Sequence, residues 1–541
     1  GPFSVLLPQA LAGVVSVALL YVLVRRAWGP WAGLASALVL ACMPISVATS
    51  RHNTMDSLLV LVLLAATLAV SRAAATGRLG PLLAGAAAIG IGFNIKMAAA
   101  YLVLPALGML YLVAAPRPKS VRLVHLGGAA LVLLAVSLLW VAAVDLTPPE
   151  QRPYVGDSGN NSAVGLALGY NGLGHAGGGA LSDLLRRLQH GQAPAADSSN
   201  GAVAPGLQPA VTEVGPPGPF RLMNREIGGQ IGWFLPLAVV GLLAAAWPAT
   251  MRPLDRRRQD VLLWGTWLAS QGVFFSLLHS FHRYYLVVLA PAVAAGAGIG
   301  LFALWKAYRQ RVGRGWLLPL ALAANAAIEA HIVASSWDGA AWVAAVIAGI
   351  GLVAASGLGV ARLWRRAASS AWELRAVLVS ALALCVLPLA WAATPTFGSW
   401  PDPDHPFAGP ELLGPPHHDV RDQVDHSLVR YLLAERHDAP FLAASFDAAP
   451  VAPVILMTGQ PVMALGGLSG GDHILTLDQL ARLATNGTVH VFLLPPDAPH
   501  RPEFQPQAEL IQWVLSHCAP APVSVSGIEV RAACTPAPVT S

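Results

Sequence analysis

The stretch VLLPQALAGVVSVALLYVLV, Val5–Val24, decides how the rest of the chain is read. Its twenty residues carry no charge, and Arg25 and Arg26 follow at once. A helix of that length spans about 30 Å, the thickness of a bilayer's hydrocarbon core. Apolar blocks of this kind recur up to about Thr394, where a soluble protein would bury runs of about 4 to 8 residues in strands. Of the 541 residues, 55% are hydrophobic and 11% charged, against about 25% charged in a soluble domain. The sequence is that of a polytopic α-helical membrane protein.

Working outward from that block, twelve spans are expected, at roughly 5–24, 30–48, 55–71, 80–94, 97–115, 123–144, 231–249, 260–278, 284–304, 315–333, 337–358 and 376–394. Every second connection is basic. These are Arg25-Arg26, Arg72 with Arg78, Arg117-Lys119-Arg122, Arg252 with Arg256–Arg258, Lys306 to Arg314, and Arg362 to Arg375. The alternate connections carry little charge, Lys96 or the Trp337-Asp338 turn. Lys and Arg mark cytoplasmic loops, so both chain ends are expected outside. The net charge of +5 belongs to this topology signal. No aromatic-interleaved basic face or motif points to nucleic acid.

The expected organisation is a membrane domain over 1–394, a linker over 395–419 and a small extracytoplasmic α/β domain over 420–541. The long connection 145–230 is rich in Gly, Ala, Pro and Ser over about 175–219, a flexible composition. In the tail, helical stretches at Val424–Glu435, Leu477–Thr485 and Gln507–His517 alternate with strand-like runs near Phe441–Ala444, Pro461–Ala464 and Val489–Leu494. The Gly466–Gly471 stretch lacks the Lys-Ser/Thr of a phosphate loop and reads as a turn. Cys42 and Cys385 fall in apolar blocks, whereas Cys518 and Cys534 could pair if the tail faces an oxidising space.

Three clusters at the outer span ends stand out, because ionisable groups near the bilayer are costly unless paired or used. The first is Arg51-His52-Asn53-Thr54-Met55-Asp56-Ser57. Asp56 falls in the first turn of a helix, where a carboxylate is favoured; capping by Asn53 or Thr54 would explain it equally. The second is Asn94-Ile95-Lys96, whose ammonium suits a phosphate at headgroup level or simply snorkels at a span end. The third is His279-Ser280-Phe281-His282-Arg283-Tyr284-Tyr285, with Arg283 a second phosphate ligand and the tyrosines also readable as interface aromatics. One carboxylate and several cations on one side suit transfer of a group away from a lipid phosphate. They suit an anion-binding transporter or flippase too, although no inverted repeat is evident. A binding protein that recruits partners through its tail is the third reading.

These residues resemble the outer turns of the GT-C membrane glycosyltransferases of the protein O-mannosyltransferase and aminoarabinose transferase superfamily (glycosyltransferase family 39). The runs Arg51–Leu59, Asn94–Met97 and His282–Leu286 carry the resemblance, in order and on the expected side. Thr458–Ala464 and Gly466–Gly471 resemble a bacterial mannosyltransferase branch with an extracytoplasmic C-terminal domain. The resemblance implies an inverting enzyme of the bacterial plasma membrane. Its donor would be a polyprenyl-phosphate-linked sugar, and its acceptor a protein or a lipid or glycan. It implies Asp56 as the second acidic residue of the catalytic site, supporting the acceptor or a metal or water near the phosphate. It implies Lys96, Arg283, His282 and Tyr284 at the donor phosphate, and His52, Asn53, Asn94 and His279 along the cavity. Arg225 and Glu226 would close that cavity from the long connection or pair with each other. A divalent cation serves some members, and a lone Asp assigns none here. The family's principal acid lies between its first two spans. This chain opens at what would be the second, so it is expected to lack its natural beginning.

Overall fold

The computed structural model describes residues 2–168, 213–247, 255–279, 281–310, 313–337, 339–363, 370–397, 405–413, 425–448, 451–468, 470–495, 497–523, 525 and 527–534. They form two compact units. The first holds the described residues of 1–140 and 210–416, and the second those of 141–175 and 417–541.

The first unit is a helical bundle. It comprises α1 (Pro2–Trp28), α2 (Pro30–Cys42), α3 (Pro44–Ser50), α4 (Asp56–Thr76), α5 (Leu79–Lys96), α6 (Leu104–Ala114) and most of α7 (Lys119–Leu146). After α8 (Ala163–Leu168), which belongs to the second unit, it resumes with α9 (Gly228–Ile231), α10 (Leu235–Ala246), α11 (Arg256–Leu277), α12 (Ala290–Arg309), α13 (Leu317–Ser336), α14 (Ala341–Leu363) and α15 (Ser370–Phe397). Among the described residues, nine helical segments are long and apolar enough to cross a membrane, and α2 with α3 forms a tenth bent by 63°. Pro44 explains the bend, since it has no N–H for Leu40 and its ring crowds that carbonyl.

Leu79–Ala114 is one of those nine segments, yet it folds back on itself. Lys96, at the end of α5, meets Asp56 at the start of α4. Arg117, just past α6, donates through Nε to the Gly77 carbonyl at the other end of α4 (3.1 Å). The segment therefore runs the length of α4, about 31 Å for its 21 residues, once in each direction. Met97, with a φ of 33°, breaks the helix at the return.

Arginine contacts define one end of the bundle. Arg257 donates to the Ala27 carbonyl, Arg314 to that of Trp247 and Arg362 to that of Tyr308. Small residues bring helices together in between. A methyl group on Gly241 of α10 would lie 2.2 Å from Cα of Gly300 in α12, so the two backbones touch.

In the second unit, β1 (Ala444–Ser445), β2 (Met463–Ala464), β3 (Val491–Leu494), β4 (Cys518–Pro520) and β5 (Glu529–Cys534) form a sheet in the order β2-β1-β3-β5-β4. The β2-β1-β3 half is parallel and the β3-β5-β4 half antiparallel. The four buried residues of β3 pack two faces, Phe492 and Leu494 against one core, Val491 and Leu493 against the other. Helices His426–Glu435, Ala452–Thr458, Leu477–Thr485 and Ala508–His517 cover the sheet. The 9-residue helix Leu477–Thr485 starts on a capping box between Thr476 and Gln479. A disulfide joins Cys518 of β4 to Cys534 of β5. Segment 141–168 belongs to this unit: Asp145 accepts from the N–H of Ala163 (2.7 Å) and Val164 (3.0 Å), and Asp472 from that of Asp157 (2.9 Å).

Candidate functional site

The site lies at the end of the bundle opposite the arginine contacts. Asp56 opens α4 and is buried, its side chain 1% exposed. Neither Asn53 nor Thr54 caps that helix, so the capping expectation is corrected: the N-cap position is Met55, without a side-chain bond. Gln9 of α1 instead accepts the N–H of Leu58 in the first turn (3.2 Å). Asp56 Oδ1 accepts from Lys96 Nζ at 2.6 Å, whereas Oδ2 is buried with no hydrogen-bond partner.

Lys96 Nζ also lies over two rings, 4.3 Å from the centroid of Tyr284 and 4.2 Å from that of Tyr285. The ammonium meets one carboxylate and two π faces where water is scarce. Three distant segments, at 56, 96 and 284–285, thus converge on one cation.

Beside it, His282 Nδ1 and Glu213 Oε2 stand 2.9 Å apart, and the Arg283 N–H donates to Glu213 Oε1 (2.8 Å). Burial by itself would raise the Glu213 carboxyl. The His282 bond, the Arg283 N–H and the positive charge of Arg283 outweigh it and hold the group below its ordinary value. The Arg283 guanidinium reaches Glu411 Oε2 (3.2 Å) and lies over the Phe407 ring at 4.3 Å. His282 stacks on His405 with centroids 4.0 Å apart.

Two structural devices set these contacts. Arg221 is buried at 2% exposure and donates to the carbonyls of Val214, Gly215, Phe275, Leu278 and His279, with its guanidinium over Phe281. It ties the segment that follows Glu213 to the turn that carries His282. Gln230 pairs with both backbone groups of Ala408, and Trp391 Nε1 donates to the same carbonyl (2.9 Å). That clamp presents His405, Phe407 and Glu411.

Of the residues expected from sequence, Asp56, Lys96, His282, Arg283 and Tyr284 come together. Asn94 turns away, its Nδ2 donating to the carbonyls of Gly90 and Val136. His279, Asn53 and Arg225 are exposed, while His52 and Glu226 are half-buried. Sequence reasoning missed Glu213, Glu411 and His405. Glu213 falls within the 175–219 stretch expected to be flexible, of which 175–212 lies outside the described residues.

Residues 1–140 match the family model described as Dolichyl-phosphate-mannose-protein mannosyltransferase. Residues 428–517 match one described as "Putative mannosyltransferase YkcB-like, C-terminal". These matches and the helical bundle define the class, a GT-C-type multi-pass membrane glycosyltransferase fold. Among curated proteins, "Putative mannosyltransferase YkcB" of Bacillus subtilis (strain 168) is 35% identical over 91% of this chain and 78% of its own length. YycA of the same organism, named in the same terms, is 33% identical over 95% of this chain and 82% of its own. The chain belongs to the mannosyltransferase-like family that these two proteins represent. Two solved structures also align. ArnT from Cupriavidus metallidurans bound to undecaprenyl phosphate is 18% identical, with a TM-score of 0.49 over 98% of this chain and 84% of that one. The archaeal oligosaccharyltransferase AglB from Archaeoglobus fulgidus is 13% identical, with a TM-score of 0.43 over 98% and 63%.

Proposed function

We propose that the chain is an inverting glycosyltransferase that moves a sugar, mannose or a near relative, from a polyprenyl-phosphate donor to a protein, lipid or glycan hydroxyl outside the cytoplasm. The observation that carries this reading is the Asp56–Lys96 pair seated on Tyr284 and Tyr285, with His282 and Arg283 adjacent. The name of the model matched by 1–140 supports it, since that name joins a dolichyl-phosphate-mannose donor to a protein acceptor.

In such a transfer the acceptor oxygen attacks the anomeric carbon from the face opposite the phosphate. The bond from that carbon to the phosphate oxygen breaks, and its electron pair leaves with the phosphate. Lys96 and Arg283 stabilise that charge as it develops. The hydroxyl proton needs an acceptor, and Asp56 Oδ2, buried and unpartnered, offers one or orients the hydroxyl for another acid.

The topology reading is twelve crossings. To the ten segments counted by composition it adds α11, whose first turns are charged, and a second crossing from the doubling back of Leu79–Ala114. The arginine end then lies in the cytoplasm. The site end and the C-terminal unit face outside, where the Cys518–Cys534 disulfide is stable.

The test is full-length protein in proteoliposomes given radiolabelled polyprenyl-phosphate mannose, beside Asp56→Asn. Sugar leaving the lipid with the parent protein, and at least a hundredfold more slowly with the variant, is the expected result. Donor that stays intact and only changes leaflet would establish a flippase instead.

A further inference from the structure

The arginine end holds a cavity that the transfer chemistry does not use. It measures about 310 Å³ and is lined by Arg26 of α1, Arg72 of α4 and Arg256 of α11. Asp260 is the one acid on its described wall, and Leu263 and Trp264 form an apolar floor. Arg26 lies within electrostatic reach of Arg25, Arg72 and Arg256 as well as of Asp260. Three guanidinium groups thus face a single acid across the cavity. Asp260 Oδ2 is buried with no hydrogen-bond partner.

Guanidinium groups drawn from three helices repel one another, and a neutralising anion relieves that repulsion. The wall describes the anion. Guanidinium forks match phosphate oxygens in paired hydrogen bonds. The apolar floor suits a glycerol backbone and the first methylenes of an acyl chain. The orphaned Asp260 oxygen calls for a donor, which a hydroxyl on the headgroup supplies. A choline headgroup would bring a quaternary ammonium to three arginines and no hydroxyl to Asp260.

We propose that this cavity is a binding site for a phosphate-bearing anion, the hydroxylated headgroup of an anionic membrane lipid of the phosphatidylglycerol kind. Basic pockets between helices at the cytoplasmic level hold such headgroups. The site stands apart from the Asp56 cluster and does not depend on the transfer reaction.

Native mass spectrometry of the full chain in mild detergent tests it, with phosphatidylglycerol, phosphatidylcholine and inorganic phosphate each added at equal concentration. Phosphatidylglycerol should be retained where phosphatidylcholine is lost. The double variant Arg72→Gln/Arg256→Gln should weaken phosphatidylglycerol about 25-fold, about fivefold for each arginine. Arg72→Lys/Arg256→Lys keeps the charge but loses the paired hydrogen bonds, and should bind more tightly than the Gln pair and less tightly than the parent, which separates charge from misfolding. Arg309→Gln/Arg314→Gln removes equal charge at the same end but away from the cavity, and should change binding less than about twofold. Equal retention of the two lipids, or equal losses in the two Gln pairs, would overturn the proposal. Displacement of phosphatidylglycerol by inorganic phosphate alone would assign the cavity to free phosphate and overturn its lipid assignment.

Discussion

Lys96 and Asp56 form a buried pair, 14% and 1% exposed, and burial makes the two interdependent. Removing one partner leaves a charge stranded away from water, which costs about 3–5 kcal/mol. Lys96→Ala should therefore unfold earlier in a thermal melt in detergent, and Lys96→Met/Asp56→Asn should recover most of that loss without recovering transfer. If the double variant is no more stable than Lys96→Ala, the two side chains are not a pair. Glu213 makes a different prediction. Its folded carboxyl is held below the ordinary value of 4.5. The stability it confers is therefore present above about pH 4.5 and lost as pH falls through its folded value. Thermal melts between pH 6 and pH 3 should show the parent losing more stability than Glu213→Gln, with the difference opening below pH 4.5. Asp56, Lys96 and Arg283 were legible in the sequence because each stands as a costly charge at the end of an apolar block. Their pairings were not. The pairs Lys96–Asp56, His282–Glu213 and Arg283–Glu411 join residues 40, 69 and 128 positions apart, a separation that carries no periodic signal.

At the scale of elements, hydrophobic blocks foretold the helices but not their breaks. The block expected at 30–48 is two helices, because Pro44 withdraws one backbone donor and turns the axis by 63°. The return at Met97 follows from Lys96 binding Asp56 while Arg117 binds Gly77, contacts that no local pattern announces. In the tail, Leu477–Thr485 is a helix as expected, started by a capping box that was not read from the sequence, while β1 and β2 shrink to two residues each. Arg221 is the less visible device. It sits four residues before Arg225, yet Arg225 and Glu226 drew the functional reading and Arg221 holds the turn. Close helix contact supplies a direct test. Gly241 of α10 touches Gly300 of α12, so Gly241→Ala must push the helices apart and should cost about 1–3 kcal/mol. A melt of Gly241→Ala within about 1 °C of the parent would show that the contact is looser than described.

At the scale of the whole molecule, the chain divides chemical labour between its ends. One end gathers arginines that, in the inference above, hold a lipid headgroup. The other gathers a buried acid, an ammonium on two tyrosine rings and a guanidinium on Glu411 and Phe407. Fold class was legible throughout because a membrane demands the same apolar length at every crossing. The candidate site was legible only in outline, since it assembles from segments near residues 56, 96, 213, 283 and 411. The central claim is that Lys96 and Arg283 receive the phosphate of a polyprenyl donor. The most direct measurement is the affinity of the full chain for polyprenyl phosphate without sugar, by titration in nanodiscs, for the parent, Lys96→Gln/Asp56→Asn and Arg283→Gln. Kd should rise at least about tenfold in each variant, the loss of one charge-assisted bond to phosphate. Equal affinity in all three proteins would contradict it and place the phosphate elsewhere.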